Sequence, residues 1–495
     1  MTDEDVDYHV ECGVTSSRRL STFPGTESCT HDYCTPFCLN AQRSSPRILR
    51  AWATGCHRPL GRRVTGPVTR VIGTGPVRAW VPIAPGFGWL WFGQAMSGLG
   101  DRLTAFASQS TAILVLGASS AQVGMLTATG WLAYPALGMV AGAVLAHVRR
   151  RSVMIGGELL RFTAFASVSA AAWAGSLSLA QLVVVVAAAG AATVFVDIAG
   201  QSYLPSLVGR DQLVRANSRV SGTDSLMKLG GPALAGVVFG VAGPTTAMAV
   251  AALPFLLSAA GRAKIRVREE PPPRPNASEP VRKRMARDLG FVWRHPLLRL
   301  LVCRSALRGF GTGVVDAVLL LFAYRGLGLS SSQGGLLIAV GSVGALAGAM
   351  LTGRLIGRLG VRRTLLLTGL EGASWLAMPL CLVWAPAPVL LVVRTFSAVW
   401  LPVWGVLDTS LRQALTPYGK QSAVHAVTRT LSCSTVPLGS IAGGLAGSLL
   451  SGLLGTSTGL ALVLAAGGLV TALSVLLLYR HEPTLIDHTL RDRHE

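Results

Sequence analysis

Asp101, Arg308 and Asp316 stand inside stretches of the chain that are otherwise almost wholly apolar. A charge at the centre of a hydrocarbon layer costs about 2.5–3.5 kcal/mol on insertion scales, so each needs a partner or a task. A carboxylate in that setting can carry a proton, provided its protonation is linked to occupancy by a solute. Asp101 belongs to the stripe Gln94, Gly98, Asp101, Ala105 and Ser108, whose spacing of three and four puts small and polar groups on one helical face, turned to a cavity rather than to lipid. Arg304, Arg308, Thr312 and Asp316 recur every four residues and drift by only about 40° per step, which makes a second polar ridge. On one reading Asp101 and Asp316 flank a shared cavity and exchange protons. On the other they are internal salt bridges, with Arg308 neutralising either acid.

A second group of residues suits gating. Asp197 and Asp408 occupy matching places near the ends of two apolar stretches, where each can receive a loop cation such as Arg149 or Arg362 and hold an entrance shut. Glu158 and Arg161, three apart, read as a surface pair or gate element. Gly231 and Pro232, opening the run to Gly236, combine close helix approach with an unpaired carbonyl, so that helix can flex. Gly439, Gly443 and Gly447 offer a close-packing seam. Tyr134, Trp400 and Trp404, with Gln94 and Thr312, are candidates to line a cavity for a large, partly apolar solute; the competing reading for the aromatics is plain packing.

The chain carries no GxxxxGK[ST] phosphate cradle, which removes ATP hydrolysis by that route and leaves an ion gradient as the energy source. One proton crossing about 150 mV releases roughly 3.5 kcal/mol, enough to concentrate a neutral solute a few hundred-fold. No enzymatic activity and no cofactor is expected. Five cysteines crowd into the first sixty residues, but Cys29, His31, Cys34 and Cys38 lack a second spaced pair, so no metal site is expected either.

The elements that must position these groups are membrane helices. Hydrophobic residues make up 51% of the 495 positions and charged residues 14%, and mean hydropathy is +0.50, more apolar surface than a water-soluble fold can hide. Windows of about 20 apolar residues, the length that crosses the hydrocarbon layer, predict spans at 87–116, 121–146, 153–176, 179–206, 217–241, 243–262, 298–325, 331–353, 363–384, 386–413, 425–450 and 456–479. Gly98 and Gly100 recur as Gly309 and Gly311, Gln122 and Gly124 as Gln333 and Gly335, Gly142 as Gly353, and Asp197 as Asp408, all at a spacing of 211. Two pseudo-symmetric six-helix bundles therefore follow.

The net charge of +21 rests on 40 arginines and four lysines, a preference that points to a GC-rich bacterial genome. These charges fall in the loops, not on a nucleic-acid-binding face. Loops after spans 1, 3, 5, 9 and 11 carry none, and that after span 7 only Arg325. Loops after spans 2, 4, 8 and 10 carry Arg149, Arg150 and Arg151, then Arg210 and Arg215, then Arg354, Arg358, Arg362 and Arg363, then Lys420. The positive-inside rule makes the even loops and both termini cytoplasmic in a bacterial plasma membrane. Residues 1–84 read as an unstructured or mis-annotated extension, with a true start near Val64 to Val81. The remaining divisions are a bundle over 85–262, a cytoplasmic linker with an amphipathic helix over 263–297, a bundle over 298–480 and a tail over 481–495. In the linker Phe291 and Trp293 should dip into the interface beside Arg284, Arg287 and Arg294.

These features resemble the major facilitator superfamily. The wording of "GQAMSGLGDRL", "GELLRF", "SYLPSLVGRDQLVRANS", "GPALAG" and "FVWRHPLLR" is similar to its drug and siderophore exporter branch, the enterobactin-exporter-like permeases, over about residues 86–480. The chain departs from the pattern in two loops. Gly142 and Arg149–Arg151 match, but Ala146 and His147 stand where an Asp-Arg pair belongs; Gly353, Arg358 and Arg362 match, but Gly357 replaces an acid. Val183 holds the place in span 4 that Arg394 holds in span 10. The resemblance implies a monomeric carrier that exports an amphiphilic drug, antibiotic or siderophore by alternating access and proton antiport. Uptake or facilitated diffusion, or a permease-like sensor without net transport, are the alternatives.

Overall fold

With no water at the centre of a bilayer, every backbone N–H and C=O in a crossing segment must be satisfied within the segment, which leaves the helix as the form these apolar runs can take. The computed structural model describes residues 84–145, 148–208, 212–266, 281–384, 386–416 and 421–479, and among them every regular element is helical. The cysteine-rich run, Ala146 and His147, Arg210, most of the linker and the C-terminal tail lie outside the described residues, and so do the side chain of Arg284 and the surroundings of Gly142.

Spans 1 to 4 are the helices Phe87–Leu114, Ser120–Leu145, Arg150–Trp173 and Leu179–Leu207. Spans 5 and 6 are the two arms of Leu213–Ala263, broken at Gly243, whose φ of 75° only glycine adopts cheaply. After the linker helix Val281–Arg294, span 7 runs from Pro296 to Leu321 and ends in a π turn at Phe322–Gly326. Span 8 is the first arm of Ser331–Leu367, broken at Gly360 (φ 77°). Span 9 continues from that break through Leu370–Ala373 into a 3-10 turn at Ser374–Leu382, tightened around Pro379. Spans 10 to 12 are Pro386–Leu415, Gln421–Leu454 and Thr456–Leu473 with the short turn Leu476–Tyr479. The twelve expected spans are all present, offset by a few residues at their ends. Nine helices among the described residues are long and apolar enough on their own to cross a membrane.

Local chemistry sets the starts. Ser178 accepts from the Gln181 N–H, and Ser330 with Gln333 forms a capping box at span 8. His295 caps span 7, with Pro296 at its first position, where a missing N–H costs nothing.

The two bundles meet tightly at the end that carries the uncharged loops. A Cβ on Gly124 of span 2 would sit 2.8 Å from Gly444 Cα of span 11, and the Ala121 N–H donates to Ser448 Oγ at 3.0 Å. Gly236 of span 5 lies backbone to backbone on Gly335 of span 8, and Gly240 packs on Ser332. Gly124 and Gly335 are repeat partners, so the fulcra obey the twofold kinship. Ser110 and Tyr324 hydroxyls join spans 1 and 7 at 2.9 Å, and Arg325 donates to the Ile113 carbonyl at 3.4 Å.

Candidate functional site

In the N-terminal bundle the charges expected to act separately form one chain. Arg161 of span 3 is ion-paired with Asp101 of span 1, donates to Ser97 Oγ at 3.0 Å and reaches Glu158 Oε2 at 3.3 Å. The other Glu158 oxygen accepts from Arg262 of span 6 at 2.6 Å, and Arg262 also donates to Gln94 Oε1 at 3.4 Å. Glu158 is 0% exposed, Arg161 1% and Arg262 0%, so a mispaired member would strand a charge in a dry interior. The Asp101 side chain, at 38%, is the most exposed member of the chain.

The C-terminal bundle uses the same two helices with the signs exchanged. Arg308 of span 7, in register with Ser97, holds Glu371 of span 9 through two bonds of 2.8 and 2.5 Å. The fork-to-carboxylate geometry fixes Arg308 as the counter-charge of Glu371, not of Asp101 or Asp316. One turn earlier, Arg304 donates to Thr368 and stacks over Trp404, 3.6 Å from the ring centroid. Among the described residues Asp316 has no hydrogen-bond or ion-pair partner; the cations acting on it are Arg394 of span 10 and Arg308. Arg394 lies against Gly341 of span 8, whose added Cβ would meet its Nε at 2.8 Å. Thr312 is half-buried on the same helix.

Several sequence expectations are corrected here. Asp197 is not held by Arg149: its carboxylate accepts from the Tyr134 hydroxyl, and Arg429 of span 11 sits 5.2 Å from the Tyr134 ring. Tyr134 thus serves a polar bridge between bundles. Asp408 pairs with Arg412, one turn along its own helix, rather than with Arg362. Arg151 caps the end of span 6, donating to the carbonyls of Arg262 and Ala263 at 3.2 and 2.5 Å, where a helix C-terminus attracts a cation. Arg149, Gly353, Arg358 and Arg362 are exposed, and Arg150 is half-buried. Trp400 and Trp404 are buried with Leu300, Leu301 and Leu365 in a core of the C-terminal bundle, so they pack rather than line a path. Gln94 is engaged by Arg262. Gly231 faces Arg102 of span 1, its Cβ position 2.8 Å from Arg102 Cβ; Pro232 is half-buried beside it. Gly439 and Gly443 press on Phe310 and Val314 of span 7, within one bundle.

Glu158 and Arg161, read as a surface pair or gate element, are a buried ion pair, while Glu371 and Arg262 were not singled out at all. The signal for Glu371 was present: an acid inside an apolar span, held to the same insertion cost as Asp101. Arg262 escaped because it ends a span, where arginines usually snorkel.

No curated protein matches the sequence. Among solved structures, a mutant of the nucleoside transporter NupG superposes with a TM-score of 0.65 at 9% identity, over 80% of this chain and 100% of that one. A bacterial homologue of the iron transporter ferroportin in its inward-facing state gives 0.61 at 19%, over 79% and 98%. A bacterial homologue of the lysosomal transporter Spinster, inward-facing and unoccupied, gives 0.58 at 14%, over 80% and 94%. At these identities the likeness concerns the fold. The sequence profile of the Major Facilitator Superfamily matches residues 90–434, so the chain belongs to that superfamily of membrane transporters.

Proposed function

We propose that this carrier exports a bulky amphiphilic small molecule by alternating access, driven by inward proton flow, with Asp101 and Asp316 as the coupling carboxylates. The observation that carries the reading is Asp316: a carboxylate within an apolar span that, unlike Glu158, Glu371 and Asp408, has no ion-pair partner among the described residues. Such a group can load and release a proton without dismantling a salt bridge. Asp101 adds a second exchangeable acid, tied on one side to Arg161 and open on the other. Arg308 acts as a positioning residue through Glu371.

The positive-inside reading places the basic loops and both termini in the cytoplasm of a bacterial plasma membrane. The end sealed by Gly124–Gly444 and Gly236–Gly335 then faces outward, and the conformer is the one that loads an exporter from inside. The carrier works as a monomer, since each bundle already supplies the partner surface for the other.

The experiment is solute movement in proteoliposomes under an imposed pH gradient, with ethidium as the amphiphilic probe. Gradient-driven movement that is lost in both Asp101→Asn and Asp316→Asn supports the reading. Movement indifferent to pH makes the protein a facilitator, movement with the proton makes it a symporter, and saturable binding without movement makes it a sensor; each overturns antiport.

A further inference from the structure

Charge matching separates the two bundles. In the first, two guanidiniums (Arg161, Arg262) meet two carboxylates (Asp101, Glu158). In the second, four guanidiniums on spans 7 and 10 (Arg304, Arg308, Arg394, Arg412) stand among three carboxylates: Arg308 pairs with Glu371, Arg412 with Asp408, and Arg394 acts on Asp316 without an ion-pair contact. The acids acting on Arg304 are Glu371 and Asp408, both already held by another arginine. Arg304 is 1% exposed, and two of its three nitrogens, Nε and Nη1, have no hydrogen-bond partner; the third reaches only the neutral Thr368 hydroxyl. The buried arginines Arg161, Arg262, Arg394 and Arg412 also leave a buried Nε unpartnered, but among the described residues Arg304 is the arginine whose buried unpartnered atoms include a terminal nitrogen as well. Arginine cannot lose its charge at any accessible pH, so it cannot escape this position by neutralising itself. The Trp404 ring covers one face of the guanidinium but accepts none of its in-plane N–H groups. In the same cluster the Trp400 indole N–H is buried and unpartnered too. The surroundings therefore offer an excess of donors and a guanidinium without an ion-pair partner among the described residues, in a place where both are costly unless an acceptor with negative charge is supplied.

We propose that the C-terminal bundle holds a small monovalent anion at Arg304, bound by the Nε and Nη1 donors and enclosed by Trp404, Thr368 and the neighbouring Arg308. The shared chemistry is a single negative charge that accepts N–H bonds; it is met by a free ion such as chloride or by the carboxylate of a larger solute. The site does not depend on the direction of transport.

The test follows the melting temperature of purified protein in lipid nanodiscs as chloride replaces gluconate at constant ionic strength, with acetate and octanoate as parallel series. Ligand that binds the folded state alone raises the melting temperature saturably. Wild type is expected to show such a rise with chloride and acetate if the anion is free, and with octanoate alone if it is the acid group of a solute. Arg304→Lys keeps the charge and loses the planar fork, and should shift the midpoint at least tenfold. Thr368→Asp supplies an internal carboxylate beside Arg304, and should abolish the anion dependence while leaving a folded protein, which keeps the test decisive should Arg304→Gln fail to fold. Absence of a saturable rise with all three anions overturns the proposal, as does an unchanged midpoint in Arg304→Lys or a rise retained in Thr368→Asp.

Discussion

Replacing Gly236 by alanine should open the sealed end. A Cβ at this position falls on the backbone of Gly335, 2.7 Å from its carbonyl oxygen, and the reciprocal Cβ at Gly335 falls 2.8 Å from the Gly236 carbonyl oxygen. Both obstacles are backbone, so no side chain can rotate away; spans 5 and 8 must separate. Overpacking of a close contact costs about 1–3 kcal/mol. That strain belongs to the sealed conformer alone if spans 5 and 8 part when the bundles rock. At about 1.4 kcal/mol per factor of ten, the equilibrium should move roughly 5- to 150-fold toward the conformer open at the uncharged-loop end. Spin labels on a cysteine-free background at Ser176 and Val383, both exposed at that end and one in each bundle, read the change as a distance distribution. Gly230→Ala is the control: it lies on the same helix with nothing within 4 Å of its added Cβ, so it alters helix propensity without touching span 8. If Gly236→Ala leaves the distances as in wild type, or Gly230→Ala moves them equally, the glycine contact is not what holds the seal.

Glu158→Ala should cost about 3–5 kcal/mol of stability, because two buried guanidiniums lose their shared carboxylate; a denaturation midpoint unchanged in detergent would contradict the network. Exchanging signs in the second bundle, Arg308→Glu with Glu371→Arg, should restore folding that either single change impairs, and a double variant no better than the singles would show the pair is not a unit. Tyr134→Phe removes the donor to Asp197 and should alter transport rate more than expression, whereas a simple packing role would leave rate untouched. A cysteine at Ser176 should react with an impermeant maleimide added outside intact cells, and one at Arg358 should not; the reverse pattern would invert the topology.

The spans, the two glycine breaks and the repeat could be read from residue types, because each depends on interactions within a few turns or on composition that lipid selects locally. The breaks at Gly243 and Gly360 fall between apolar runs that composition alone separates. Asp101 was legible as an unusual charge for the same reason. Its partner was not: Arg161 sits 60 residues away on another helix, and Glu158 finds Arg262 at a separation of 104. Equal periodicity on spans 1 and 7 suggested that Asp101 and Asp316 were alike, yet one is ion-paired and the other is not.

What the sequence by itself determined was the number of crossings, their kinship across 211 residues and the loops that carry charge, since hydrocarbon judges each helix separately. Which charge meets which was decided only by the tertiary structure. Helix rotation and crossing bring Arg308 onto Glu371 and leave Arg304 without a carboxylate, and those angles come from side chains packed across the whole bundle.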